Sequence, residues 1–292
     1  MPDTDPRAAR PGEWASLAEV PSRLASVRAV ESQQVPPFLA ALTARHRDHL
    51  DRVATATQLV RLDQRSEVLA VVRAVPVTWD GTAAGAPAGG AGDGVDRATT
   101  AAEQGDADTL AVLDVTVAAA ARGRGIGRGV LAELPRLAAR LELSRLLVLV
   151  RPHGKRHHPL VPFARYVAAT DASGRPRDGW LAACWEQGLH PVRPVDRSLR
   201  ARAPVRDWEG WYGRSFPTSG PYLVPGAIKP AVIELERDEG RYREPHLWMA
   251  PVAALAQRHV EPATLRRPQD AWRRSLAAAG LVVHGRRHRE RD

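Results

Sequence analysis

Cysteine, lysine and long apolar runs are scarce in this 292-residue sequence. The single cysteine, Cys184, cannot form an internal disulfide and excludes zinc sites built from several cysteines. No apolar run reaches the roughly 20 residues that a membrane-spanning helix requires, and residues 1–14 lack the apolar stretch of a signal peptide. These absences, with a hydrophobic fraction of 44%, predict a soluble, globular, cytoplasmic protein with no membrane partner.

Arginine carries nearly all of the positive charge. Lysine occurs only at positions 155 and 229, and the formal net charge is +9. Residues 258–292 hold nine arginines against four acids, so more than half of the charge excess lies in this last segment. A Lys-poor, Arg- and Ala-rich composition is typical of a high-GC genome. It therefore favours a bacterial protein with no nucleic-acid partner over a nucleic-acid-binding protein.

Most of the chain has the pattern of one domain that mixes strands and helices. Residues 57–64 and 67–79 have the apolar composition of two consecutive strands. Residues 81–108 consist mainly of Gly, Ala, Asp and Thr, which offer too little apolar surface to offset their ordering entropy, and we expect a flexible loop there. The strand pattern then resumes, so residues 1–250 are predicted to form one enlarged domain, followed by a helical, Arg-rich extension at 251–292.

The clearest pattern lies between residues 110 and 150. Residues 110–117 predict a strand, a Gly- and Arg-rich segment follows at 121–129, and apolar residues then recur at helical spacing. Residues 145–150 are a second apolar run, typical of a buried strand. Strand, glycine turn, helix and strand form a βαβ unit with a parallel strand pair and a right-handed crossover.

The Gly- and Arg-rich segment has the chemistry of a phosphate site. The first N–H groups of a helix have no intrahelical partner, and the helix dipole places partial positive charge there. Gly123, Gly125 and Gly127 remove the Cβ atoms that would keep a ligand away and permit inward-turned amides. Arginines at 122, 124 and 128 add full charges. The segment therefore predicts phosphate bound at the start of the helix.

The spacing of the glycines differs from that of nucleotide-binding loops. The third glycine of a dinucleotide fingerprint would stand at 128 or 130 but falls at 129, and no acidic residue follows near Val150. A Walker loop requires a lysine that this segment lacks. Arg122, Gly125 and Gly127 instead match all three fixed positions of the signature R/Q-x-x-G-x-G/A. With this signature the sequence resembles the GNAT superfamily of acyl-CoA-dependent N-acyltransferases.

The context of the signature extends the resemblance. Val117 is the apolar residue expected five positions before Arg122, and Gly188-Leu189 stands where the family has a Gly-aromatic turn after its last helix. The resemblance covers residues 110–150 well and 179–196 fairly. It implies an α/β (α+β) GNAT-like fold, with helices on both faces of a mixed, mostly antiparallel sheet that has a parallel pair at its centre.

The resemblance also implies the cosubstrate, acetyl-CoA or another acyl-CoA, and no metal. The backbone of Val115, Thr116 and Val117 would bind the pantetheine arm. Arg151, Lys155 and Arg156 could attract an acidic acyl group or the 3′-phosphate of the coenzyme. The pyrophosphate would be bound by the turn and the residues that extend it: Arg122, Gly123, Arg124, Gly125, Ile126, Gly127, Arg128 and Gly129.

Acyl transfer to an amine requires a base for the amine and a proton for the departing thiolate. The family usually has a tyrosine as general acid, and the corresponding position here is Cys184. Its thiol could donate a proton or act as a nucleophile, and it could equally be a small buried hydrophobic residue. Asp114 and Glu186 are candidates for the general base, and both can equally be solvated carboxylates.

Three histidines, His153, His157 and His158, are further candidates for the base. Their spacing in a basic loop without a carboxylate argues against a metal site. The following segment, 159–180, is expected to shape the acceptor pocket. Its Asp171 and Asp178 could bind a cationic amine or merely cap and turn the backbone.

The leading function predicted from these residues is acyl transfer from coenzyme A to an amine of a small molecule or protein, by direct attack in a ternary complex. One alternative is transfer to a carrier-protein thiol or hydroxyl, with Cys184 as a relay. A second alternative is a non-catalytic module that binds coenzyme A or a protein partner. The acceptor, the acyl chain and the oligomeric state, including a homodimer, stay open.

Overall fold

The computed structural model describes residues 14–254 and 268–281. Within them, nine strands form a single sheet in the order β1-β2-β3-β4-β5-β9-β8-β7, and β6 also pairs with β9. The strands are β1 (Trp14–Ser16), β2 (Leu59–Leu62), β3 (Val68–Val77), β4 (Thr109–Val117), β5 (Arg145–Val150), β6 (Leu189–Ala203), β7 (Gly220–Tyr222), β8 (Ala231–Glu234) and β9 (Glu239–Pro251). All neighbouring strands are antiparallel except β4 and β5, which are parallel.

Helices pack against both faces of this sheet. The helices are α1 (Leu24–Ser32), α2 (Pro37–Val53), α3 (Ala91–Gln104), α4 (Ile126–Arg140), α5 (Phe163–Val167), α6 (Gly179–Glu186), α7 (Val205–Tyr212) and α8 (Pro268–Ala278). In the described part of the chain, no helix has the length and apolar character needed to span a bilayer.

The alternation of side chains along β4 separates two buried clusters. Leu110 and Val112 point to one face, where they pack with α4, α6 and α8. Ala111 and Leu113 point to the opposite face, where they pack with α3 and with Leu50 of α2. The mixed, mostly antiparallel sheet with helices on both faces confirms the predicted fold class.

Strands β4 and β5 separate partway along their length. Their pairing runs from Thr109 and Arg145 to Val112 and Val148. Beyond Val112, β4 continues along β3 to Val117, whereas β5 pairs only with β9. The register of β4 also shifts by one residue after Val112 relative to β3. The two central strands therefore open a cleft between them on one side of the sheet.

The prediction of a flexible loop at residues 81–108 was wrong for half of this segment, because helix α3 spans Ala91–Gln104. Small side chains let this helix lie close to the sheet: a Cβ atom on Gly94 would stand 2.8 Å from Leu113 Cδ2. Val95 and Ala101 of this helix are buried, and Gly105 ends it with a positive φ of 69°. Close approach of the backbone replaces the large apolar side chains whose absence suggested disorder.

The last described helix packs into the main core. The Trp272 ring of α8 is fully buried, and its Nε1 donates to the Val167 carbonyl at 2.7 Å. Leu276 and Leu281 belong to the same cluster. The charged end of the chain, residues 284–292, lies outside the described residues, and the domain boundary at 250–251 stays a prediction.

A third cluster fixes helix α2 to the C-terminal half of the sheet. The Phe38 ring of α2 stacks on Trp208 of α7 with centroids 5.3 Å apart, and it meets Tyr242 of β9 edge-on at 4.7 Å. Both contacts are buried. Since α2 contributes a wall of the cleft described below, this aromatic cluster sets the position of that wall.

Gly240 of β9 tests this packing. A Cβ atom at position 240 would stand 2.3 Å from Trp208 Nε1, so Gly240→Ala forces the ring or the strand to move. We expect the free energy of unfolding to fall by about 1–3 kcal/mol, measured by chemical denaturation. Gly210 of α7 is the control, because a Cβ atom there meets nothing within 4 Å and Gly210→Ala should stabilise the helix by about 0.5–1 kcal/mol. Unchanged stability of Gly240→Ala would contradict the packing.

Candidate active site

A cavity of about 970 Å³ lies where β4 and β5 separate. The end of β4 and the turn before α4 form one wall, and α2 forms the facing wall. Trp180 and Ala183 of α6 and His246 of β9 contribute further contacts. The separation of two paired strands thus produces a space large enough for an extended ligand.

The glycines of the turn before α4 serve two different purposes. Gly123 and Gly125 have φ angles of 73° and 78°, a conformation that L-residues rarely adopt, and added Cβ atoms there would meet open space. Gly127 is limited by space, since its Cβ atom would stand 3.0 Å from the Trp180 ring. Within the described residues no side chain caps α4, and the residues at its start, from Gly125 to Arg128, line the cavity.

The arginines around this turn lie at its exposed rim. Arg122 lines the cavity, and its Nε donates to the Val117 carbonyl at 3.3 Å. Arg128 also lines the cavity and forms a surface ion pair with Glu186 at 3.1 Å. Arg124 and Gly129, which the sequence also assigned to the ligand, are exposed and do not line the cavity.

The last residues of β4 belong to the same wall of the cavity as the turn before α4. Val115, Thr116 and Val117 all line it, and within residues 14–254 and 268–281 no strand pairs here with the edge of β4 that faces away from β3. The Val117 carbonyl additionally accepts from Gln34 Nε2 at 2.9 Å. The structure therefore brings the sequence-predicted strand and turn residues together around one space.

Asp114 is the single acidic residue among the described residues that line this cavity. Its side chain is about half exposed, and its Oδ2 accepts from the Thr116 hydroxyl at 2.9 Å. The same Oδ2 lies 3.9 Å from Nη2 of Arg47, which reaches across from α2. A carboxylate with one fixed oxygen and access to the cavity has the geometry of a proton acceptor.

A buried network of opposite charges supports this side of the cavity. Arg73 donates from Nε and Nη2 to the two oxygens of Glu31 at 2.6 and 2.9 Å, and it also contacts Asp51. Burial alone would lower the pKa of Arg73, but its bonds to Glu31 and Asp51 raise it above its ordinary value. Arg47 Nε lies 3.3 Å from Glu31 Oε1. The charges are paired, so their burial is tolerated.

A second buried network lies on the β9 side. Arg151 donates to both oxygens of Glu244 at 2.6 and 3.1 Å, and Tyr242 donates to the same carboxylate. His246 bridges Glu244 and the Ser198 hydroxyl at 3.0 and 2.9 Å. Burial would raise the pKa of Glu244, but Arg151 and the bond from His246 lower it to about 2.

The structure places Cys184 away from the cavity. Its side chain is fully buried in the main core, and the α6 residues that reach the cavity are Gly179, Trp180 and Ala183. Burial, followed by the negative charge of Asp178, raises the pKa of the Cys184 thiol above its ordinary value. The apolar face of α6 directs this thiol into the protein, where it has no contact with the cavity.

Asp178 and Asp171 both have structural partners. Asp178 is buried and caps α6, where its Oδ1 accepts from the amides of Trp180 and Leu181 at 3.0 Å. Its Oδ2 accepts from the Gly154 amide at 2.8 Å and from the Tyr166 hydroxyl at 2.9 Å. Asp171 lies in an exposed turn, outside the cavity lining, where it accepts from Ser173.

The basic loop after β5 contains a neutral histidine that lines the cavity and a lysine that is buried. Burial, reinforced by Arg156 and Arg151, lowers the pKa of His153 to about 4, so this cavity residue is neutral at pH 7. Lys155 is almost fully buried, and its Nζ donates to the carbonyls of His158, Pro159 and Ile228 at 2.8, 3.3 and 2.7 Å. Burial and then Lys229 lower the pKa of Lys155 to about 8.

Helix α2 and strand β9 supply site residues that sequence reasoning missed. Thr43, His46 and Arg47 of α2 and His246 of β9 all line the cavity. The α2 residues recur at the spacing of one helix face, together with Leu39 and Leu50. That spacing is a usable signal for a shared face, although it does not distinguish a binding face from a solvated one.

The Glu244 network predicts a pH dependence of stability. Because the pKa of Glu244 in the folded state, about 2, lies below the ordinary value of 4.5, this carboxylate stabilises the fold above about pH 4.5. That contribution is lost as pH falls through 2. Glu244→Gln removes the fully buried carboxylate that pairs with the part-buried Arg151 and should cost about 3 kcal/mol at pH 7, with a flatter dependence between pH 4.5 and 2.

Chemical denaturation across this pH range measures both effects. The control is Glu103→Gln, since Glu103 is exposed on α3 and has no ion-pair partner within residues 14–254 and 268–281. Equal stability of Glu244→Gln and the unmodified protein at pH 7 would show that the Arg151–Glu244 pair is not buried as described.

One curated protein and several solved structures are similar to this chain. No family model matches the chain. An arginine N-acetyltransferase, avaD, from Aspergillus versicolor is 32% identical over 158 residues, which cover 48% of this chain and 54% of that protein. The chain therefore spans about half the length of this curated relative.

Two solved structures cover most of the chain at low identity. The GNAT-like decarboxylase GphF, in complex with isobutyryl-CoA, is 15% identical with a TM-score of 0.47, covering 79% of this chain and 95% of that chain. The loading GNATL domain of CurA from Lyngbya majuscula is 11% identical with a TM-score of 0.44, covering 79% and 92%.

The evidence for the family comes from the sequence and the fold together. Arg122, Gly125 and Gly127 stand at the start of α4, beside the parallel strands that separate at Val112 and Val148. The similarity to the curated relative is independent of this geometry. The chain thus carries the GNAT signature at the expected place in its fold and is similar to an N-acetyltransferase over about half of its own length.

Proposed function

We propose that this protein transfers an acyl group from a coenzyme A thioester to an amine. The observation that carries the proposal is the uncapped start of α4, which faces the cavity at the point where β4 and β5 separate. The inward amides and partial positive charge of this helix end suit a diphosphate, with Arg122 and Arg128 at its rim.

The free edge of β4 suits the rest of the coenzyme. The pantetheine arm carries amide groups, which can hydrogen-bond to backbone groups of Val115 and Thr116 in the way that a neighbouring strand would. A ligand extending from the turn along this edge brings its thioester towards Asp114. The neutral imidazole of His153 also lines the cavity, as does Trp180, whose ring lies beside Gly127 of the turn.

In the proposed reaction Asp114 accepts a proton from the acceptor amine, and Thr116 holds one of its oxygens in place. The amine attacks the thioester carbonyl directly, and the coenzyme A thiolate leaves. A thiol has an ordinary pKa near 8.5, so its thiolate departs without a strong acid. The position of Cys184 inside the core supports this route over an acyl-cysteine relay.

The curated relative supports an amine as the acceptor, since that protein is an arginine N-acetyltransferase. Transfer to a carrier-protein thiol or hydroxyl and a non-catalytic role would use the same cavity, and no specific contact in the structure favours either. The bacterial origin, the cytoplasmic location and a homodimer remain predictions.

Gly125 tests the coenzyme site. A Gly125→Ala substitution places a side chain at a φ of 78°, which costs about 1–2 kcal/mol or rebuilds the turn. Calorimetry should show acetyl-CoA binding weakened at least about fivefold, while Gly210→Ala on α7 leaves it unchanged. The absence of coenzyme binding by the unmodified protein would exclude the proposed function and favour an interaction module.

A substitution at Cys184 tests whether the amine attacks the thioester directly. Cys184→Ala removes the thiol, and turnover per folded molecule should stay within about twofold because no acyl-enzyme forms at this position. Mass spectrometry after incubation with labelled acetyl-CoA alone should detect no adduct on Cys184. An adduct in the unmodified protein that disappears in Cys184→Ala, together with lost turnover, would support the relay instead.

A further inference from the structure

Arg47 is a cavity residue whose hydrogen-bonding capacity is unused. Its side chain is 13% exposed, and its guanidinium carries five donors. In residues 14–254 and 268–281 it has ion-pair contacts with Glu31 at 3.3 Å and Asp114 at 3.9 Å, but its side chain makes no hydrogen bond. None of its nitrogens is a buried unpaired atom, so its free donors are accessible from the cavity that it lines.

The two other arginines close to this region are already occupied. Arg73 binds both oxygens of Glu31, so the carboxylate nearest to Arg47 is largely committed to a different partner. Arg151 binds both oxygens of Glu244 and also donates to the Gly226 carbonyl at 2.8 Å. Arg47 is therefore the guanidinium of these three with donors left for a ligand.

A guanidinium with free parallel donors binds a carboxylate most strongly, because the two planar groups match in a bidentate arrangement. The neighbouring Asp114 presents the opposite charge to the same cavity. An α-amino acid carries its amine and its carboxylate on the same carbon atom. Such a molecule fits this pair of side chains, with the amine beside Asp114 and the carboxylate on Arg47.

We infer that the acceptor is an α-amino acid, and that Arg47 determines this specificity by binding its carboxylate. The inference rests on the proposed acyl transfer and adds the chemical class of the acceptor. Arg47 contacts the part of the acceptor that does not react, so its loss should weaken acceptor binding more than it slows the chemical step.

The kinetic test compares acceptors that differ only in the carboxylate. With acetyl-CoA as donor, α-amino acids and their decarboxylated amines are assayed in pairs, beginning with arginine and agmatine. We expect at least about tenfold higher kcat/KM for the preferred amino acid than for its paired amine. Arg47→Gln should bring the ratio of kcat/KM between the amino acid and the amine close to one, chiefly by raising KM for the amino acid.

Arg45→Gln is the matched control, because Arg45 is an exposed arginine on the same helix and does not line the cavity. Arg47→Lys keeps the charge next to Glu31 without the bidentate geometry, and it should retain only part of the preference. This second variant keeps the test informative if Arg47→Gln does not fold.

A binding measurement separates this inference from the proposed function. Calorimetry in the presence of coenzyme A should show binding of the amino acid but not of its paired amine, and Arg47→Gln should abolish it. Coenzyme binding with equal affinity for amino acid and amine, or a preference that survives in Arg47→Gln, would overturn the inference alone. Failure to bind coenzyme A would overturn the proposed function first.

A carboxylate on the acyl group of the donor would bind Arg47 in the same way as a carboxylate of the acceptor. Malonyl-CoA is therefore compared with acetyl-CoA as donor, with one fixed acceptor. Equal effects of Arg47→Gln on the two donors support an acceptor carboxylate. A loss confined to malonyl-CoA, with no change in the ratio of amino acid to amine, would assign Arg47 to the donor and overturn the inference.

Discussion

The separation of two parallel strands at Val112 and Val148 determines the rest of the site. Up to these two residues, β4 and β5 hydrogen-bond to each other. Beyond them β4 still pairs with β3, and no described strand pairs with its other edge. The free edge, the uncapped end of α4 and the cavity between them are consequences of the same divergence. Without it, the glycine turn would start an ordinary crossover helix with no space beside it.

Ion pairs with buried carboxylates fix the positions of two arginines that line the cavity. Arg73 and Arg151 sit on opposite sides, and each is held by a carboxylate that it binds with two donors. Two-point bonds restrict a guanidinium to one orientation, so neither side chain needs to reorganise when a ligand enters. The single acid on the lining, Asp114, consequently faces groups whose positions are already set.

The sequence predicted those parts of the fold that depend on local order. The segment from β4 to β5, including the turn at 121–129, is one contiguous βαβ unit, so its apolar spacing and glycines are readable without tertiary information. Helix α3 was not predicted, because the close packing of Gly94 on Leu113 depends on a strand distant in sequence. A low content of large apolar residues shows that the side chains are small. It does not show how closely the backbone of a helix can approach the sheet.

The sequence likewise predicted those site residues that belong to one contiguous segment of the chain. Residues 115–117 and most of the turn line the cavity, since they belong to the same local unit. Arg47 and His246 come from α2 and β9, which only the completed sheet brings together, and no motif marks them. Cys184 was assigned by counting along α6, whereas the apolar face of that helix decides where the thiol points.

The scarcity of lysine has a chemical consequence for the proposed use of activated thioesters. Thioesters acylate free amines slowly even without a catalyst, whereas guanidinium groups stay protonated and inert. Of the two lysines in the chain, Lys155 is enclosed by three backbone carbonyls, and Lys229 alone has an exposed side chain. Positive charge carried by arginine thus leaves the chain with few lysine amines that the proposed thioester cosubstrate would modify.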